Sequence, residues 1–187
     1  MKRSWIGTIV VVVVAAGFAL WLLRSGGERV SIDLVQEFPT AKIKRPTPDV
    51  FSIVDASING VTKKSIFTKD PSRVGWHFTV PEDAWLKVSI GVEEQGWTMP
   101  GDGVVFQIGV VSGKNYEELL RLRVNPYSEA SDRQWKDLTL DLSPHSGEDI
   151  DLVFNTLSSP DPAPGQPPKD DRNGDLALWG APRVVVK

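Results

Sequence analysis

Apolar residues recur at every second position in run after run of this chain, and no other feature restricts its fold as strongly. The runs are Val30, Ile32 and Leu34; Trp76, Phe78 and Val80; Leu86, Val88, Ile90 and Val92; and Val104, Phe106, Ile108 and Val110. Leu138, Leu140 and Leu142, then Ile150, Leu152 and Phe154, and finally Val184 and Val186 complete the series. A period of two places alternate side chains on one face of a strand, so each run predicts a strand buried on one side. Turn formers stand between the runs: Asn59-Gly60, Pro100-Gly101-Asp102-Gly103 and Ser112-Gly113-Lys114-Asn115. Short strands spaced by turns, with little helical periodicity, predict an all-β domain, an antiparallel sandwich or barrel. Residues 116–124 read as a strand through Leu120, Leu122 and Val124, although Glu117 to Arg121 would also fit a helical turn. Residues 29–35 read as the first strand, and residues 38–49, with Pro39, Pro46 and Pro48, as an extended connector.

One segment breaks this pattern. Residues 5–23 carry no charge and are dominated by Val, Ile, Leu, Ala and Phe. As a helix they would be about 28 Å long, close to the hydrocarbon thickness of a bilayer. The valines at 10–14 would make a poor helix in water, whereas lipid demands that every backbone group be bonded within the segment. Trp5 and Trp21 suit the two interfaces, and Lys2 and Arg3 before the span predict a cytoplasmic N-terminus. The rival reading is a cleaved signal peptide with a site at Gly17-Phe18-Ala19, but Leu20-Trp21-Leu22-Leu23 prolongs the apolar run beyond it. The expected organisation is therefore a cytoplasmic stretch 1–4, a transmembrane helix 5–23, a linker with the first strand 24–49, and a β-sandwich 50–187 on the periplasmic side. Gly7, Ala15, Ala16, Gly17 and Ala19 are small enough to let another helix pack closely against this span.

Charge and composition remove several functions. Of 21 basic residues only Lys2 and Arg3 precede the span, and all 24 acidic residues follow it, so the outer domain is net acidic. Nucleic-acid binding, which needs cations to replace counterions on phosphates, is not expected. With no cysteine there are no disulfides, thiolate metal sites or cysteine nucleophiles. With two histidines, His77 and His145, a multi-histidine zinc site cannot form within one chain. Neither histidine stands near a G-x-S-x-G motif, and Gly101-Asp102-Gly103 leads into a strand, not a helix N-terminus. The chain is not expected to be an enzyme.

From about Ala84 onward a longer pattern is present. Gly101-Asp102-Gly103-Val104-Val105-Phe106-Gln107-Ile108 is followed by Trp135-Lys136-Asp137-Leu138-Thr139-Leu140-Asp141-Leu142-Ser143. Then come Gly147, a strand over residues 150–156, and Leu178-Trp179-Gly180-Ala181-Pro182 before the last strand. In this order the chain resembles jelly-roll sandwiches of the galactose-binding or carbohydrate-binding-module type. The resemblance covers a little over half of the chain. It implies an antiparallel jelly-roll β-sandwich, while such sandwiches bind sugars, bind proteins or have no known ligand.

Two sites follow as expectations. A sugar needs a flat aromatic with polar partners, and Trp97, in the polar turn Glu93-Glu94-Gln95-Gly96-Trp97, is the best placed. Trp76 and Trp85 lie on alternating runs and are expected to pack; Trp135 and Trp179 are expected to anchor the core at a sheet edge. Asp171, Asn173 and Asp175 offer oxygen ligands at alternate positions, as a structural calcium would require, though no glutamate follows at the EF-hand distance. The functional expectation is a non-catalytic accessory or scaffold subunit of a bacterial inner-membrane complex of respiratory, photosynthetic or export type. Its partners would be the lipid bilayer and integral membrane proteins. The alternative is a membrane-tethered carbohydrate-binding module acting on envelope polysaccharide, with a glycan as ligand.

Overall fold

The computed structural model describes residues 27–69, 71–158 and 171–187. The chain divides into Met1–Arg29 with Lys187, and Val30–Val186. Of the first unit only residues 27–29 and 187 are described. The second holds the fold. No α-helix occurs among the described residues, and no helix among them is long and apolar enough to cross a membrane. The predicted span 5–23 and its packing positions Gly7, Ala15, Ala16, Gly17 and Ala19 lie outside the described residues.

Eleven strands are present among the described residues. They are β1 (Arg29–Asp33), β2 (Ile43–Arg45), β3 (Phe51–Ile58), β4 (Val61–Thr68), β5 (Ser72–Thr79) and β6 (Ala84–Val92). β7 (Val104–Ser112), β8 (Asn115–Val124), β9 (Lys136–Asp141), β10 (Asp149–Leu157) and β11 (Ala177–Val186) follow. One sheet runs β3-β4-β11-β6-β9, with β1 pairing β11; the other runs β2-β5-β10-β7-β8. The strands β4 to β11 thus pass between the two sheets in the order of a jelly roll, and the antiparallel sandwich expected from the sequence is the observed architecture.

The alternating runs supply the layer between the sheets. Leu86, Val88, Ile90 and Val92 of β6 face Val104, Phe106, Ile108 and Val110 of β7 and Ile150, Leu152 and Phe154 of β10 in one cluster. At its centre Trp179 meets Phe106 edge-on at 4.9 Å and Phe154 at 4.6 Å, and Trp76 meets Phe154 at 5.2 Å. Each such side chain contributes about 1.5–3 kcal/mol on leaving water. Asn59 and Gly60, at φ 50° and 76°, close the β3–β4 hairpin in the left-handed conformation that Asn-Gly tolerates best.

Three local readings are corrected. The first strand ends at Asp33, not at 35. Its carboxylate accepts the N–H groups of Val35 (3.0 Å) and Gln36 (3.1 Å), which turns the chain. The proline-bearing connector also contributes a strand, β2, whose Ile43 and Arg45 pair with Gly75 and Arg73 of β5. Leu178 to Pro182 lie within the last strand, not before it, and the Gly180-Ala181-Pro182 stretch of β11 is a bulge, with Ala181 at φ 44°, because proline has no N–H to give a ladder. β4 pairs the part of β11 before the bulge, and Leu34 donates to the Pro182 carbonyl within it, at 3.0 Å.

Candidate functional site

The inward residues of β6 fix what faces out. Between Leu86, Val88 and Ile90 stand Trp85, Lys87, Ser89 and Gly91, on the exterior of the six-stranded sheet. Register extends the row sideways: Val54 faces Ser65, Ser65 faces Gly180, Gly180 faces Ser89, and Ser89 faces Asp137. Trp135 stands one residue before β9 and folds back over this exterior. Its indole N–H donates to the Val61 carbonyl at 2.8 Å. The sheet beneath is stripped of side chains where the ring lies. A Cβ on Gly180 would sit 2.8 Å from Trp135 Cζ3, and one on Gly91 3.4 Å from its Cε3. A glycine in a strand interior weakens the strand, and here it admits a flat ring against backbone. Ala56, Ile58 and Leu178 form a small second apolar cluster outside the sandwich, against which Trp135 and Trp97 pack.

A polar group of three stands beside the half-buried ring. Lys63 Nζ lies 2.6 Å from Asp137 Oδ1, 2.6 Å from Ser89 Oγ and 5.5 Å from the Trp135 centroid. Ser89 donates to the same Asp137 oxygen at 2.5 Å. The hydrogen bond from Lys63, then that from Ser89, holds the Asp137 carboxyl below its usual range. Ser89 is 5% exposed, whereas the Asp137 side chain is 75% exposed, so the group has a fixed floor and a carboxylate open to a partner. Its ammonium and carboxylate can donate to and accept from adjacent hydroxyls beside an aromatic surface. That combination suits recognition of a polyhydroxylated ring.

The residues singled out from sequence fall differently. Trp97 lies in a short 3₁₀ turn, Glu94–Thr98, half-buried, with its N–H on the Val92 carbonyl at 2.9 Å. Its ring packs on both apolar clusters and has the Arg133 guanidinium 6.0 Å from its centroid. Its contacts are therefore those of a cap on the core. Asp171 accepts the Asn173 N–H at 3.1 Å, and Asn173 donates its side-chain amide to the Pro100 carbonyl. Asp175 is buried. No group of three or more His, Asp and Glu able to hold a metal ion occurs among the described residues. Trp76 and Trp179 are in the core, as expected, but Trp135 is on the exterior instead. His77 pairs with Asp151 at 2.9 Å, and His145 lies 3.3 Å from Glu117 and 3.2 Å from Glu148.

A cleft of about 800 Å³ opens between β1 and β5, with Trp76, His77 and Phe78 on one side and Asp33, Gln36 and Glu37 on the other. Much of its polar lining is engaged within the fold. Asp33 takes three hydrogen bonds from Val35 and Gln36, and the Trp76 indole donates to the Glu37 carbonyl at 3.2 Å. Thr40 donates to the Glu37 carboxylate at 2.9 Å.

The fold is an antiparallel jelly-roll β-sandwich. No protein-family model matches the chain. A relative in Archaeoglobus fulgidus, an uncharacterized protein, is 33% identical over 107 residues, which are 56% of this chain and 25% of that protein. The chain thus spans about a quarter of the length of the curated relative it matches. Among solved structures, the module TmCBM61 in complex with β-1,4-galactotriose aligns over 87% of this chain and 90% of its own, at 9% identity and TM-score 0.46. A CBM51 from Clostridium perfringens GH95 in complex with methyl-galactose aligns over 86% and 93%, at 13% identity and TM-score 0.41. The CBM51-2 and INT domains of Clostridium perfringens ZmpB, in complex with GlcNAc, align over 86% and 29%, at 11% identity and TM-score 0.44. Likenesses this distant say nothing about a ligand.

Proposed function

We propose that this domain is a non-catalytic glycan-binding module that holds a sugar ring against Trp135. The observation that carries the reading is the indole laid on Gly91 and Gly180 with Lys63, Ser89 and Asp137 at its side. A sugar presents an apolar C–H face and a rim of hydroxyls, and this arrangement offers an aromatic surface with a charged rim. Its Asp137 carboxylate is largely exposed to water, which favours binding over chemistry that must exclude water. The module would be displayed outside the cytoplasm by the uncharged segment 5–23, whose support is its sequence alone. The accessory-subunit reading rests on that same segment. Against it, the glycan reading has a constructed surface in its favour.

The test is a glycan array followed by calorimetry on wild type and Trp135→Ala, with thermal melting to confirm the fold. Loss of a central aromatic anchor is worth at least about 2 kcal/mol, roughly a 30-fold weakening. Binding in wild type that falls by that factor in Trp135→Ala supports the reading. Failure of wild type to bind any glycan removes it, and unchanged affinity in the variant removes Trp135 from the site.

A further inference from the structure

Among the described residues, the strands with a neighbour on one side only are β1, β2, β3, β8 and β9, and they guard their open edges unequally. β2 has three residues, two of them cationic, and β1 has a charge at each end. β8 is broken by a bulge and carries Glu117, Glu118, Arg121 and Arg123, and half of β9 is charged. Charges, bulges and shortness are the ordinary defences of an edge against further pairing. β3 has none of them: its eight residues hold a single charge, Asp55, and no lysine, arginine or proline. Which of its groups are open follows from the hairpin. Ile58 and Val61 flank the two-residue turn and exchange both backbone bonds, and every second pair repeats this along the ladder. Even-numbered residues of β3 therefore bond to β4, while Ile53, Asp55 and Ser57 direct their N–H and C=O groups away from it. Phe51 points the same way, and its N–H is taken by the Pro48 carbonyl. Asp55 and Ser57 are exposed. On the exterior face the small apolar cluster of Ala56, Ile58 and Leu178 runs out to this edge through the half-buried Val54.

We infer that β3 is a homodimer interface, through which two copies of this chain join their six-stranded sheets by antiparallel pairing of β3 with β3. A two-fold axis perpendicular to the sheet keeps every residue on its own face. Opposite residues then share parity, so the axis passes through a residue position. The middle of the strand offers three. An axis at Asp55 sets the two carboxylates directly opposite, which is destabilising. One at Val54 brings Ser57 against Phe51, where the Pro48 carbonyl already fills the open side. An axis at Ala56 meets neither obstacle. It places Asp55 opposite Ser57 of the second copy, so four backbone bonds form across the axis and a hydroxyl faces each carboxylate. On the exterior face Ala56 meets Ala56 and Val54 meets Ile58, which unites the two small apolar clusters into one. The Trp135 surfaces of both copies then stand on the same side of a single joined sheet.

The experiment is sedimentation velocity of the full chain in detergent, which should show a monomer–dimer equilibrium between about 1 and 100 µM. Ser57→Pro removes an N–H that β4 does not use, so the ladder within the fold stays intact while two of the four bonds across the axis are lost. Its dissociation constant should rise roughly 30-fold, with Ser57→Ala close to wild type. Because the chain has no cysteine, disulfide trapping gives a second reading that does not depend on how well Ser57→Pro folds. Ala56→Cys puts a thiol on the axis, in a non-hydrogen-bonded pair whose Cα atoms lie about 4.5 Å apart, within disulfide reach. Mild oxidation should link that variant into a covalent dimer. Ser52→Cys should stay monomeric, because the pairing sets its two thiols about eight strand residues apart. A wild-type monomer at every concentration overturns the interface. So does a dimer that survives Ser57→Pro undiminished, as association through residues 5–23 would, or cross-linking of Ser52→Cys as readily as Ala56→Cys.

Discussion

Replacing Gly180 by alanine tests the platform with the smallest change the structure allows. The new Cβ would lie 2.8 Å from Cζ3 and 3.0 Å from Cη2 of Trp135, with Lys63 Cδ at 3.3 Å. Carbon atoms do not approach this closely, so the indole must lift from the sheet. Lifting strains the 2.8 Å bond from its N–H to the Val61 carbonyl, which contributes about 1 kcal/mol. Overpacking of this kind costs about 1–3 kcal/mol in all. For a domain of the size of Val30–Val186 that is a fall in Tm of roughly 2–12 °C. Gly91→Ala is the matched comparison. Its Cβ would meet Ile58 Cδ1 at 2.6 Å but Trp135 Cε3 only at 3.4 Å, so the strain falls on isoleucine and the ring stays in place. Differential scanning calorimetry should show both variants destabilised. Isothermal titration with the array-selected glycan should show affinity reduced at least about tenfold in Gly180→Ala alone. Equal binding by the two variants, or a Gly180→Ala protein that melts and binds like wild type, would refute the claim that Gly180 seats the ring.

Two further outcomes follow from the same face. Asp137 is held ionised by Lys63 and then by Ser89, so its folded pKa lies below the unfolded one. Its contribution is therefore present above the unfolded value, near pH 4, and disappears as pH falls through the folded value. The Tm difference between wild type and Asp137→Asn should be present above that value and shrink as pH falls below it; the absence of any difference at neutral pH contradicts the pairing. The increment will be small and salt-sensitive, because the carboxylate is largely exposed. Trp97→Ala should lower stability by about 2–3 kcal/mol in urea melts, since the ring bridges both apolar clusters, and should leave glycan affinity intact. Lost affinity at unchanged stability would return the site to Trp97.

The contrast between Trp97 and Trp135 shows where local sequence stops being informative. Parity along a strand is written in the strand itself, so Leu86, Val88, Ile90 and Val92 could be assigned to the core from their spacing, and they lie there. β2 escaped this rule because three residues are too few to display a period, and Lys44 and Arg45 between prolines resemble a connector. The oxygen spacing of Asp171, Asn173 and Asp175 was equally ambiguous. A side chain that caps the N–H two residues on satisfies the same pattern as a cation ligand, and Asp171 does so. A polar neighbourhood drew attention to Trp97, but polar turns surround core caps as readily as binding sites. Trp135 was marked by a different signal: Gly91 and Gly180 leave outward positions of β6 and β11 without a side chain, which is how a close approach to backbone appears in sequence. Each glycine alone is commonplace. They become one surface only because the jelly-roll path lays β11 beside β6, setting Leu178 against Gly91 and Gly180 against Ser89. Residues so far apart in the chain acquire a shared ring through topology, so the platform belongs to the sheet order and not to any motif.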